Sequence, residues 1–258
     1  MSWFRHFNHS SIGQKVSMAI TGLFLCSFLI IHLIGNLQIF KQDHGLAFNQ
    51  YAVLMTTNPF IKLVSYVLYI SILYHAIKGL LMTAYNRSVR SHGYAVNPGN
   101  ATSAWSSRNM GILGTIVLIF LVVHMSDFWF QYKFGHIPYT QYDISTATGD
   151  VQASAFTGQM HEKMSDRMAT ADTRVIVAKD LYMEVYESFK EWWLVLLYVI
   201  AMTALAFHLT HGFKSAFQSL GLNHRKYNRL IHWIGVVGFG ILIPIAFAAM
   251  PIYCYFKG

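Results

Sequence analysis

Hydrophobic residues in this chain fall in long blocks, not in the short alternating or three-to-four-residue pattern of soluble strands and helices. Five blocks run approximately over residues 16–40, 61–85, 110–132, 192–217 and 230–255. A helix crosses a hydrocarbon core of about 30 Å with roughly 20 residues, so each block is long enough to span a membrane. Unpaired backbone groups are too costly in lipid for irregular structure, and all five should therefore be helices. The first block follows Lys15, is followed by no small-residue cleavage site, and contains the polar Thr21 and His32, so it reads as a retained helix and not a signal peptide. The pattern predicts an all-α fold, a five-helix transmembrane bundle forming one domain over residues 1–258.

The polar segments differ in character. Residues 86–109 are rich in Ser, Asn, Gly and Arg and read as an ordinary connection. The connection over residues 133–191, between the third and fourth blocks, is much longer. Its stretch 153–187 is charged, Met-bearing and poor in breakers, which predicts a helix lying on the membrane surface. No internal repeat, low-complexity tract or glycine-rich phosphate loop is present.

Composition agrees with a membrane protein, with 54% hydrophobic and 12% charged residues, against roughly 25% charged in soluble domains. Charge also orients the chain. The N-terminus, residues 86–109 and 218–229, and Lys78 and Lys214 near adjoining helix ends hold ten basic residues and no acidic one. The opposite side holds the other nine basic residues and all eleven acidic ones. Short basic loops mark the cytoplasm, so the N-terminus is expected inside, the C-terminus outside and the long connection on the outer side of a bacterial inner membrane. The net charge of +8 is then a topogenic signal beside membrane lipid and needs no nucleic acid. Cys26 and Cys254 stand alone, which excludes iron-sulfur ligation within this chain and a CxxCH site for covalent haem.

The candidate chemistry lies in intramembrane histidines, since ionisable groups inside a membrane are rare. His32, His75, His124, His208 and His211 lie well inside the apolar blocks. With a rise of 1.5 Å per residue, His32 lies about 24 Å and His124 about 21 Å from the inner ends of their helices. The second and fourth helices run the other way, and His75 and His211 fall about 21 to 28 Å from their outer ends. Two levels result, each with two histidines on different helices. Facing histidines can supply both axial nitrogens of a haem iron, so the arrangement predicts two non-covalent b-type haems. His208 precedes His211 by three residues on nearly the same face, and spacing does not choose between them. Gly35, Gly79 and Gly212, near His32, His75 and His211, would allow close approach of a porphyrin.

Longer motifs carry a resemblance. Ser11-Ser-Ile-Gly-Gln-Lys-Val-Ser-Met-Ala-Ile-Thr-Gly-Leu-Phe running to His32, Tyr74-His75-Ala with Asn86-Arg87, Lys179-Asp-Leu-Tyr, and His208-Leu-Thr-His211-Gly with Ser215-Ala-Phe-Gln-Ser-Leu-Gly resemble the cytochrome b subunit of succinate dehydrogenase and fumarate reductase, in its single-chain, five-helix, dihaem form. The likeness covers most of the chain. It implies a membrane anchor passing electrons between a quinone, taken as menaquinone, and an iron-sulfur subunit joined to a flavoprotein on the cytoplasmic face. The dicarboxylate chemistry would lie on that flavoprotein. The resemblance also implies His32 and His124 for the outer haem and His75 and His211 for the inner one. Some dihaem fumarate reductases carry a glutamate two residues before this last ligand, as part of a proton path; here that position is Leu209.

Further roles follow. Lys78, Arg87, Arg90, Arg108 and Lys214 lie near the inner haem level and could pair with its propionates. A quinol releases protons with its electrons, so its site needs a proton acceptor near a haem and a route to water. Asp127 is the one acid inside an apolar block, a turn beyond His124 towards the outer surface, and is the candidate acceptor. Gln38, Asn49, Gln50 and Tyr51 add hydrogen-bonding groups at that level. The family's carboxylate near the outer haem belongs to the first outside loop, where this chain has Asp43 and no glutamate. Two other classes remain: a cytochrome b of a hydrogenase or formate dehydrogenase, and a histidine-using proton-coupled transporter, which would be colourless and usually built from repeated halves.

Overall fold

The structure is a computed structural model and describes residues 6–7, 10–89 and 103–257. Among them are five helices long and apolar enough to cross a membrane: Ser11–Phe40, Pro59–Ser88, Met110–Phe134, Trp192–Ser219 and Asn228–Lys257. The helices in chain order are α1 (Ser11–Asn36), α2 (Leu46–Thr57), α3 (Pro59–Ser88), α4 (Trp105–Arg108), α5 (Met110–His124), α6 (Gln131–Phe134), α7 (Leu181–Ser188), α8 (Trp192–Ser219), α9 (Asn228–Trp233) and α10 (Ile243–Lys257). Three spans change winding along their length, the first ending in a 3-10 turn at Leu37–Phe40. The third passes from α5 into π-helical turns at Met125–Phe130 before α6, and the fifth has π-helical turns at Ile234–Leu242 between α9 and α10.

The first and second long spans start ahead of their apolar blocks at polar caps. Ser10 Oγ accepts a hydrogen bond from Gly13 N at 3.0 Å, which begins α1 ahead of its apolar run. Asn58 Oδ1 accepts from Phe60 N and Ile61 N, and Pro59 occupies the first helical position of α3, where its missing N–H costs nothing. Arg90 and most of the connection predicted over 86–109 lie outside the described residues.

Contacts gather the chain into two compact units. One contains Met1–Ile31, Tyr66–Leu121 and Leu197–Ala248; the other contains His32–Ser65, Val122–Leu196 and Ala249–Gly258. Each long span contributes a part to both.

The fold is not all-α. In place of the helix predicted over 153–187 the second unit has four strands, β1 (Tyr139–Ser145), β2 (Val151–Phe156), β3 (Met164–Met168) and β4 (Thr173–Lys179), followed by α7, which holds only the last part of that stretch. They form one antiparallel sheet in the order β2-β1-β4-β3. Charges and methionines suggested a helix, but β-branched Thr, Val and Ile dominate β4, whose Val175, Ile176, Val177 and Ala178 are all buried at the centre of the sheet. A turn at Gly149, with φ of +76°, returns β1 to β2.

Tyr142 and Ile176, paired across β1 and β4, pack with Ala178 against Leu46 of α2. The Lys179-Asp-Leu-Tyr motif fastens this layer. Lys179 Nζ donates to the Tyr132 carbonyl at 2.6 Å, and burial lowers the lysine's proton affinity. Asp180, 2% exposed, accepts from Asn49 Nδ2 at 2.8 Å, from Met183 N at 3.0 Å and from the Thr140 hydroxyl. Asn49 also donates to the Tyr142 hydroxyl at 2.8 Å and accepts from Tyr182 N at 2.9 Å, so every polar atom of its amide is used. Gly45, with φ of +88°, admits the Tyr182 ring: a Cβ there would fall 2.3 Å from Tyr182 Cγ.

Replacing Asn49 by Ala leaves the Tyr182 amide without its acceptor and takes one donor each from the Tyr142 hydroxyl and Asp180 Oδ1. At about 1 to 3 kcal/mol for a buried polar group left unsatisfied, Asn49→Ala should lower the thermal midpoint of the detergent-purified protein by several degrees. Gln50→Ala, one residue on, should leave it nearly unchanged.

Candidate functional site

In the first unit, α3 carries His75 and α8 carries His208, and their ring centroids lie 6.3 Å apart with planes at 66°. The α1 backbone flanks one edge of each arrangement. Thr21 Oγ1 lies 3.1 Å from His75 Nδ1, and a Cβ added at the neighbouring Gly22 would stand 3.4 Å from His75 Cε1. On the other side, a Cβ added at Gly114 of α5 would stand 3.5 Å from His208 Cε1. His208 Nδ1 is buried and has no hydrogen-bond partner.

In the second unit, His32 of α1 faces His124 at the end of α5, with ring centroids 5.8 Å apart and planes at 88°. Asn36, one turn after His32, donates its Nδ2 to the His32 carbonyl at 2.8 Å and lies 3.4 Å from the ring at Nδ1. Phe128 sets its ring edge-on to His124 at 5.5 Å and in turn leans on Phe189. The π-helical turns begin immediately after His124, a winding that recurs at functional sites because it re-aims the side chains that follow.

These pairs fit a particular kind of group. A metal–imidazole bond is about 2 Å, so two imidazoles on opposite sides of one ion keep their coordinating nitrogens about 4 Å apart and their ring centres about 6 Å apart. Both pairs match this spacing. Among the described residues no three His, Cys, Asp or Glu gather to hold a bare metal ion. Each pair offers two imidazole rings, which suits an iron whose other ligands would come from a porphyrin.

The ring that faces His75 is that of His208. His211 lies three residues on, about 60° further round α8 at 3.6 residues per turn, and is half-buried beside Lys214. The geometry thus favours His208 where the family resemblance favours His211. The glycines expected to admit a porphyrin also have other neighbours. A Cβ at Gly35 would strike the Tyr51 ring at 2.0 Å, one at Gly212 would meet Met110 at 3.5 Å, and one at Gly79 would meet Met18 at 3.9 Å. Gly22 and Gly114, against the His75 and His208 rings, were not singled out by sequence.

The remaining candidates divide. Asp127 is half-buried within the π-helical turns, and its charge acts on Glu184 of α7, which sequence reasoning passed over. Burial first, then Asp127 and Glu187, raise the proton affinity of Glu184. Tyr51 and Gln50 lie on α2, not in a loop, and burial holds the Tyr51 hydroxyl protonated. Gln38 Nε2 donates to the Ile34 carbonyl at 3.1 Å. Asn49 is committed to the sheet layer, as described above, and Asp43 caps α2 through Gly45 N and Ala47 N. Of the basic candidates, Arg87, Arg108 and Lys214 are exposed, Arg108 donates to the Ser103 carbonyl, and Lys78 is half-buried.

No protein-family model matches this chain, and neither a curated protein nor a solved structure does.

Glu184 gives the site a pH signature. A carboxyl whose folded proton affinity is raised binds more protons folded than unfolded, so stability falls as pH climbs from the ordinary value of 4.5. Glu184 is partly exposed, so solvent keeps the effect below about 1 kcal/mol. Glu184→Gln should match the wild type in thermal unfolding near pH 4 and exceed it slightly at pH 7.

Proposed function

We propose that this chain is the dihaem cytochrome b subunit that anchors a succinate dehydrogenase or fumarate reductase in the membrane. Its role is to carry electrons between a quinone and an iron-sulfur subunit joined to a flavoprotein. The observation that carries the reading is the pair of imidazole rings about 6 Å apart in each unit, each pair on two different spans. Bound haem supplies one-electron redox chemistry at each pair.

The residues of this chain do the rest. His32 with His124, and His75 with His208, would hold the two haems through their imidazole nitrogens, a ligand set that suits electron transfer. The apolar spans exclude water and keep the local dielectric low. Ten basic and no acidic residues on one set of loops support a cytoplasmic N-terminus and a basic face for the iron-sulfur subunit. Arg87, Arg108, Lys78 and Lys214 are the cations on that side for propionates or partner. On the side of the long connection, Asp127 holds the proton that a quinol releases, with Glu184 as the second carboxyl through which it leaves to water.

Two measurements test the reading. The purified wild-type chain should give two haems per polypeptide in a pyridine haemochrome assay and a low-spin b-type difference spectrum. His208→Leu should retain one haem and His211→Leu both; the reverse pattern would restore His211 as ligand, and no haem in the wild type would end the proposal. In the complex purified with its iron-sulfur and flavin subunits, Asp127→Asn should abolish quinone-linked turnover while leaving both haems bound and dye-linked succinate oxidation intact. Unchanged quinone activity would remove Asp127 from the site.

A further inference from the structure

Thr21 is a polar residue in an apolar span, and its place beside a ligand histidine gives it a specific use. Its hydroxyl carries one hydrogen, and two carbonyls of its own helix lie within reach, Ser17 O at 2.9 Å and Met18 O at 3.2 Å. Threonine in a helix ordinarily donates to such a carbonyl, which satisfies the hydrogen and leaves the oxygen's lone pairs directed outward. Those lone pairs meet His75 Nδ1 at 3.1 Å, across 54 residues of sequence. With the hydroxyl hydrogen on a carbonyl of its own helix, the oxygen accepts from His75, whose ring hydrogen is then assigned to Nδ1. In a neutral imidazole the hydrogen on one nitrogen leaves the other with a free lone pair. Nε2 of His75 is then the basic nitrogen, and the His75 ring faces His208.

We infer that Thr21 is a positioning residue that fixes the tautomer and orientation of His75, making it the more electron-donating of the two axial ligands at that site. This rests on the cytochrome reading above and deepens it. The Cε1–Nδ1 edge of the ring lies against α1 beside Gly22, where a Cβ would stand 3.4 Å from Cε1. The opposite ligand has no such support, since His208 Nδ1 is buried without a partner. An accepted hydrogen bond from the non-coordinating nitrogen raises the basicity of a ligand imidazole. The pair is therefore built unequally, and electron donation from His75 stabilises the oxidised iron over the reduced one.

The test uses the purified full chain. Thr21→Val keeps the branched shape and removes the acceptor; Thr21→Ser keeps the acceptor and removes the methyl group. Potentiometric titration of Thr21→Val should show one haem shifted upward, by about a threefold change in its oxidised-to-reduced ratio at fixed potential, or about 30 mV at 59 mV per tenfold. The other haem should be unmoved. Thr21→Ser should restore the wild-type potential, and the low-spin resonance spectrum should change for the shifted haem alone. Wild-type potentials in Thr21→Val with both haems present would overturn the role of Thr21 and leave the cytochrome reading standing. Equal shifts of both haems, or no rescue by Ser, would show a general packing effect and overturn it too. A wild-type chain without haem would overturn both.

Discussion

A polar nitrogen inside an apolar span must find a partner, because lipid and hydrocarbon side chains offer none. An imidazole has two nitrogens, one donor and one acceptor in its neutral form, so each buried histidine poses two demands. Much of the arrangement inside the spans can be read as an answer to them. His75 finds the Thr21 oxygen for one nitrogen and faces the His208 ring; His32 and His124 face each other with Asn36 alongside. Small residues then stand where rings must approach a helix, as Gly22 and Gly114 do. Elsewhere the same device serves ordinary packing: Gly240 faces the Thr210 hydroxyl, Gly111 the Thr83 side chain and Gly235 the Phe213 ring. A glycine near a candidate ligand in sequence is thus not a porphyrin contact until its own neighbour is known.

The five spans were legible because length and apolarity are properties of a contiguous segment, and the structure differs by a few residues at their ends, two of which start at the caps Ser10 and Asn58. That His32 meets His124 followed from the same regularity, since rise along a helix is fixed. The angular position of a side chain was not legible: His208 and His211 differ by a fraction of a turn, and only the neighbouring helix decides which ring meets His75. The contact of Thr21 with His75 and the pairing of Asp127 with Glu184 join residues distant in sequence, with no local pattern to announce them.

The sheet was hidden for a different reason. Strands β1 and β3 carry polar residues at most positions, and β4 has a run of four consecutive apolar residues between Arg174 and Lys179, so neither alternation nor helical period stands out. What fixes the layer is long-range: Asn49 from α2 and Asp180 ahead of α7 meet Tyr142 and Thr140 of β1 in a buried cluster. The Lys179-Asp-Leu-Tyr motif, noticed as a family likeness, turns out to have a local physical task that needs no cofactor.

The choice between His208 and His211 also bears on protons. Taking His211, the position two residues earlier is Leu209; taking His208, it is Ala206. Neither ionises, so the absence of a carboxylate at that point does not depend on which histidine holds iron. Asp127 remains the one acid within the predicted apolar blocks, and it shares its surroundings with Glu184 instead of standing alone. After burial, the Asp127 charge raises the proton affinity of Glu184, which lies outside the spans. Within the proposed reading, proton exchange with a quinol then belongs at the end of the third span, where the π-helical turns carry Asp127 close behind His124.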